Sequence, residues 1–151
     1  MQTRAQALSN RSDDEDGEAL RALLTELFAF DEPLEHLGRI LQGSDTRYEM
    51  PGGGPHPLVG RLVPDLSLIT SDGPTRVGVA MRMGEPLLLD LIDRADVREV
   101  ARPWSDRVRV LTARCDDPPA PALLVRPDGC VAWAADAEAD LPTALSAWFG
   151  P

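Results

Sequence analysis

Pro121-Ala-Leu-Leu-Val-Arg-Pro-Asp-Gly-Cys-Val-Ala-Trp133 decides the fold of this chain. Pro127 sets φ near −65° and Gly129 tolerates positive φ, so the chain reverses between two mostly apolar runs, 122–125 and 130–133. That is a β-hairpin. Beyond it Leu141, Ala144, Leu145, Trp148 and Phe149 recur at three- and four-residue spacing, which lays an apolar stripe along a short terminal helix.

Working backwards, Val108-Arg-Val-Leu-Thr112 reads as a strand. Before it, residues 93–104, with Val97 and Val100, predict a helix ended by Pro103. Pro86-Leu-Leu-Leu-Asp-Leu-Ile92 is a continuous apolar run of the kind expected for a central strand covered on both faces. A right-handed crossover then makes 86–92 and 108–112 parallel, while the hairpin adds antiparallel strands. Further upstream, Leu66-Ser-Leu-Ile-Thr70 predicts a strand, Ser71-Asp-Gly-Pro74 a turn, and the following residues a helical turn. Residues 44–65, with Pro51-Gly-Gly-Gly-Pro-His-Pro57, predict a connector rather than a packed element.

The first 17 residues hold the run Asp13-Asp14-Glu15-Asp16, too charged to bury, and read as a flexible acidic tail. Residues 18–43 predict a helical pair. Leu20, Leu23, Leu24, Leu27 and Phe28 form one apolar face; Leu34, Leu37, Ile40 and Leu41 form the second, closed by Gly43. The 151 residues, 43% hydrophobic, suffice for one compact core at 66–150 plus these extensions. A net charge of −10 argues against nucleic acid and anionic lipid partners. No apolar run approaches the roughly 20 residues of a membrane helix, and no signal-peptide core is seen. With only Cys115 and Cys130 for thiols, unpaired cysteines in a reducing cytoplasm are expected.

Proline, strand, turn, strand and helix form the ending of thioredoxin-like folds. The expected fold class is therefore α/β, a thioredoxin-like mixed sheet flanked by helices, with an N-terminal helical extension. The residues also resemble the C-terminal region of the flavin-dependent aromatic hydroxylases that tailor bacterial aromatic polyketides, relatives of phenol and para-hydroxybenzoate hydroxylases. The resemblance is carried by Asp45-Thr-Arg-Tyr48, His56-Pro-Leu-Val-Gly-Arg-Leu-Val-Pro-Asp-Leu66, Leu87-Leu-Leu-Asp-Leu91, Leu123-Leu-Val-Arg-Pro-Asp-Gly129 and Val131-Ala-Trp133. The helical pair is similar to the last helices of the catalytic part of those enzymes. The resemblance implies a thioredoxin-like appendage remote from chemistry, used in subunit contacts or structural support. Flavin is held elsewhere in that family, by a Gly-x-Gly-x-x-Gly turn and a later Gly-Asp motif; neither occurs here, so no cofactor is expected.

Thioredoxin-type redox chemistry needs Cys-x-x-Cys opening a helix, and the corresponding turn here is Ile92-Asp-Arg-Ala-Asp96. Pro121 falls where thioredoxin-like folds place a cis-proline and is read as shaping the backbone. Gly52-Gly53-Gly54 is read as a flexible loop, since Pro55 and Pro57 prevent a helix with free amides from following. His56, near Tyr48, Arg61 and Asp65 in sequence, is the candidate for acid–base work, with Tyr48 and Arg61 beside it as catalytic candidates. His36 reads as solvated. No histidine and cysteine cluster has metal spacing. Trp104, Trp133, Trp148 and Phe149 read as core or interface aromatics, with a stacking pocket for an aromatic polyketide as the second option. The face of Leu20, Leu23, Leu24, Leu27 and Phe28 is the candidate interface, toward a homodimer or a flavin-dependent oxygenase. Two functions follow: a redox-inactive accessory or interaction domain in polyketide tailoring, or a small cofactor-free tailoring enzyme (cyclase, isomerase or oxygenase) using a pocket near His56. A third is a split subunit completing a separate flavin domain.

Overall fold

The computed structural model describes residues 15–34, 38, 46–136 and 139–151, with the side chains of 15–17, 19 and 20 excepted. The chain divides into two compact units, residues 1–45 and 46–151. In the first, helix α1 spans Glu15–Leu27, starting inside the acidic run rather than after it. Acidic residues at a helix N-terminus offset the positive end of its dipole. Residues 31–34 are helical again. The rest of the second predicted helix, with His36, Leu37, Ile40, Leu41 and Gly43, lies outside the described residues, as does the tail through Asp14.

The second unit is a mixed α/β structure. Its elements are β1 (Ser67–Thr70), β2 (Gly73–Arg76), a one-turn helix α2 (Val77–Ala80), β3 (Leu87–Asp90), α3 (Ala95–Ala101), a 3-10 turn (Arg102–Trp104), β4 (Arg109–Thr112), β5 (Ala122–Val125), β6 (Val131–Ala134) and α4 (Leu141–Phe149). The main sheet has the order β4-β3-β5-β6. β3 pairs parallel with β4, and the β3–β5 and β5–β6 pairs are antiparallel. This is the mixed sheet expected from the crossover and the hairpin.

Alternation along the strands separates two cores. Leu88, Leu124 and Trp133 face Val97, Ala101, Trp104, Leu141, Ala144 and Leu145 of the helical layer. Leu87, Leu89, Leu123 and Val125 face Val59, Leu68 and Val77 on the other side. Every residue of β3, β5 and β6 is buried, the physical reason these runs are apolar except for Asp90 at the end of β3. Between Leu124 and Val125 the β5–β6 register shifts, so Ala132 and Trp133 both face the helices while Val131 and Ala134 face away.

α4 is capped by Asp140, whose carboxylate accepts from Thr143 N (3.4 Å) and Oγ1 (2.6 Å). Its far end is fastened by Trp104 Nε1 donating to Gly150 O (2.6 Å) and Arg107 donating to Phe149 O (2.6 Å). Arg126 stacks 4.0 Å from the Trp148 ring centroid, joining the hairpin to the same helix. No peptide bond among the described residues is cis, Pro121 included; its carbonyl accepts from Leu91 N at 3.0 Å.

Two expectations change. After the turn at Ser71 and Asp72, residues 73–76 do not go straight into a helical turn but return along β1 as β2, with Leu68 opposite Thr75. Thr70 Oγ1 accepts from Asp72 N, and Gly73 takes φ 112°, which lets the reversal close in two residues. The second change is the connector. Residues 60–63 lie along the outer edge of β6: Gly60 N donates to Val131 O (2.9 Å), Val131 N to Arg61 O (2.8 Å) and Val63 N to Gly129 O (2.9 Å). They cover a sheet edge that would otherwise be open. The glycines are fitted rather than flexible. A Cβ on Gly53 would sit 2.7 Å from Ala132 O, and one on Gly60 would sit 1.9 Å from Tyr48 O.

Candidate functional site

The three catalytic candidates fall in the packed strip beside β6. His56 is half-buried: Leu58 N donates to its Nδ1 (3.2 Å), and its Nε2 lies 3.1 Å from Pro119 O. A ring nitrogen that accepts from a backbone N–H is unprotonated, so this network assigns the proton to Nε2, which donates to Pro119 O. Both nitrogens are thereby engaged with main chain. Arg47 reaches over the same segment, its Nε donating to Val59 O (3.0 Å) and Nη2 to His56 O (3.4 Å). Tyr48 is exposed and lines a shallow recess with Arg47, Met50 and Val59; His56 and Arg61 are not among its walls. Arg61 contributes main chain to β6. Asp65 is paired with Arg76 at 2.6 Å, and that hydrogen bond holds its carboxyl below the usual range.

A second place was not visible in sequence. At the carboxyl ends of β3 and β4, and against the end of β1, lies a cleft of about 600 Å³. Leu91, Ile92 and Asp93 enter it from the loop after β3, Thr112 to Cys115 from β4 and the residues after it, Ile69 from β1. Arg114 and Ile69 exchange two main-chain hydrogen bonds of 2.9 Å, which ties the β1–β2 hairpin to the end of β4.

The loop on the β3 side is held by charge. Asp90 is fully buried, with one carboxylate oxygen accepting from Arg94 N (2.8 Å) and the other paired with Arg98. Arg98 also reaches Asp93 at 2.7 Å, and Asp93 takes φ 60°. Its hydrogen bonds to Asp90 and then Asp93 raise the Arg98 guanidinium above its ordinary range. Arg94 likewise holds the Asp96 carboxyl down. The turn Ile92–Asp96 holds no cysteine; Asp93 and Arg94 within it join the ion pairs that surround it. Cys115 and Cys130 are free thiols, and burial pushes the Cys130 thiol up. Among the described residues no group of three His, Cys, Asp or Glu is placed to hold a metal.

The glycine run 52–54 is folded against β6 and α4, with a Cβ on Gly52 meeting Ala144 N at 2.6 Å, so it leaves no phosphate cradle. Leu23 and Leu27 on α1 are exposed (57% and 46%), Leu24 and Phe28 half-buried; the Leu20 side chain lies outside the described residues. Among the described residues no helix is long and apolar enough to cross a membrane.

With this geometry the comparisons with known proteins agree. The model of the aromatic-ring hydroxylase C-terminal family matches residues 56–151, and the chain belongs to that family. It is similar to the 12-dehydrotetracycline 5-monooxygenase/anhydrotetracycline 6-monooxygenase of Streptomyces rimosus, 38% identical over 99% of this chain and 31% of the relative. It is 40% identical to the dialkyldecalin synthase of Streptomyces rugosporus, over 99% of this chain and 28% of that protein. The solved structure of the anhydrotetracycline hydroxylase from Streptomyces rimosus superposes with a TM-score of 0.80 at 38% identity, over 99% of this chain and 32% of that one. The chain thus spans about a third of the length of the curated relatives it matches.

Proposed function

We propose that the chain is a thioredoxin-like, redox-inactive interaction module of flavin-dependent aromatic polyketide hydroxylases, acting in polyketide tailoring through contacts with a flavin-binding part or with a second copy of itself. The observation that carries this reading is the loop after β3. The turn Ile92–Asp96, where a redox domain would have its nucleophile, holds no thiol and is braced by buried Asp90 paired with Arg98. His56, with both ring nitrogens on main chain, acts as a tether between residues 56–58 and Pro119. The same region accompanies relatives named for different reactions, a monooxygenase and a dialkyldecalin synthase, as suits a part that does not choose the chemistry. Exposed Leu23 and Leu27 supply the contact surface. Two free thiols suit a reducing cytoplasm.

The test is to mix the full chain with the separately expressed flavin-binding part of the anhydrotetracycline monooxygenase and follow both complex formation and hydroxylation. A stoichiometric complex, or hydroxylation restored on mixing, supports the module reading. Turnover of an aromatic polyketide by this chain alone, lost in His56→Ala, defeats it in favour of the small cofactor-free enzyme.

A further inference from the structure

We propose that the cleft at the carboxyl ends of β3 and β4 binds a small organic anion with an apolar body, the charged group against Arg114 and the body between Ile69, Leu91 and Ile92. About 600 Å³ is within the range of small-molecule sites. The carboxyl end of a parallel strand pair is also where α/β sheets most often open a crevice for ligands. The walls combine an apolar surface with one basic and one acidic residue, Arg114 and Asp93. Leu91 is buried at the base, while Ile69 and Ile92, from separate elements, stand 45% and 54% exposed beside it.

The charges define the ligand's sign. Arg114 is the only basic residue in the lining and, among the described residues, its guanidinium has no ion-pair partner. Arg94 and Arg98 on the same end of the sheet are each paired. Asp93, the acid in the lining, is held by Arg98, which it shares with Asp90, and makes no ion pair with Arg114. On a chain of net charge −10, an arginine without an ion-pair partner beside an apolar wall favours an anion in this cleft. Both sides of the cleft are held in place, Arg114 by its paired bonds to Ile69 and the opposite loop by Asp90, so a ligand meets a preformed site. This proposal stands apart from the module reading and uses none of its partner contacts.

The experiment is a fluorescence titration of the full chain with 8-anilinonaphthalene-1-sulfonate, with amide chemical-shift mapping to locate the probe. Saturable one-to-one binding is expected, with shifts centred on residues 91–93 and 112–115. Arg114→Gln is expected to weaken it about tenfold, the loss of one charge-assisted contact. Ile92→Asp weakens it by at least about the same factor through repulsion. Both positions are exposed, and circular dichroism verifies that the variants fold. Equal affinity for uncharged N-phenyl-1-naphthylamine, insensitivity to both variants, or shifts that map elsewhere overturns the proposal. So does displacement of the probe only by extended peptides and never by naphthoate, which makes the cleft a peptide groove.

Discussion

The Asp90 carboxylate, with no exposed surface, is paired with the Arg98 guanidinium, one third exposed, and so joins the end of β3 to the first turns of α3. Removing one partner of a buried pair leaves an uncompensated charge or an unfilled polar cavity. Asp90→Ala is expected to lower the unfolding free energy by about 3 kcal/mol. Arg98→Ala is expected to cost less, because water reaches Arg98 and Arg94 N still serves Asp90. Urea denaturation of the two variants measures the order; equal, negligible losses contradict the lock.

Gly60 is the tightest backbone position of the strip along β6. At φ 82°, with a Cβ position 1.9 Å from Tyr48 O, Gly60→Ala suffers both backbone strain and a clash with main chain that cannot move aside. A loss of at least about 2 kcal/mol is expected. Gly73, also at positive φ (112°) but in open space, gives the control: Gly73→Ala pays the strain without the clash and loses less.

The two thiols differ in access. Cys130 is 6% exposed and its thiol is pushed up by burial, so it alkylates slowly in the folded chain; Cys115, half-buried at the cleft, reacts first. Mass spectrometry of partial iodoacetamide labelling reads the order. Faster labelling of Cys130 contradicts the packing of β6.

Acid weakens the surface pairs in a defined window. Arg76 and Arg94 hold the Asp65 and Asp96 carboxyls below their ordinary values in the folded chain. Their contribution is complete above about pH 4, the unfolded carboxylate range, and is lost as pH falls through the lowered folded values. Both pairs are exposed, so the effect is small and salt-screened. In Asp65→Asn/Asp96→Asn, the fall in stability on acidification below that range is expected to be shallower than in the parent chain.

Much of the sheet was legible because its strands are buried on both faces. Leu87-Leu-Leu and Ala122-Leu-Leu-Val have no polar side to hide, and Pro127-Asp-Gly129 marks the reversal between β5 and β6 by its own backbone preferences. The packed strip at 46–65 was not legible: its order comes from glycines closing onto Tyr48 and Ala132, a fit that local composition does not record. β2 was missed for a similar reason, since Gly73-Pro74 reads as turn until β1 is there to pair with. The cleft draws on three separated segments and so leaves no local pattern. One signal was present in the sequence: Asp90 inside an otherwise apolar strand is a charge that needs a buried partner, and Arg94 and Arg98 follow at helical spacing.

The central claim is that this chain works by the surfaces it presents, with α1 as the contact face. Sedimentation equilibrium of the full chain, alone and with the flavin-binding part of the anhydrotetracycline monooxygenase, tests it against the Leu23→Asp/Leu27→Asp variant. The account predicts a self-associated or mixed complex for the parent chain and its loss in the variant, with the unfolding midpoint of residues 46–151 unchanged. A chain that stays monomeric at every concentration and ignores the flavin part, or an association indifferent to both substitutions, contradicts it.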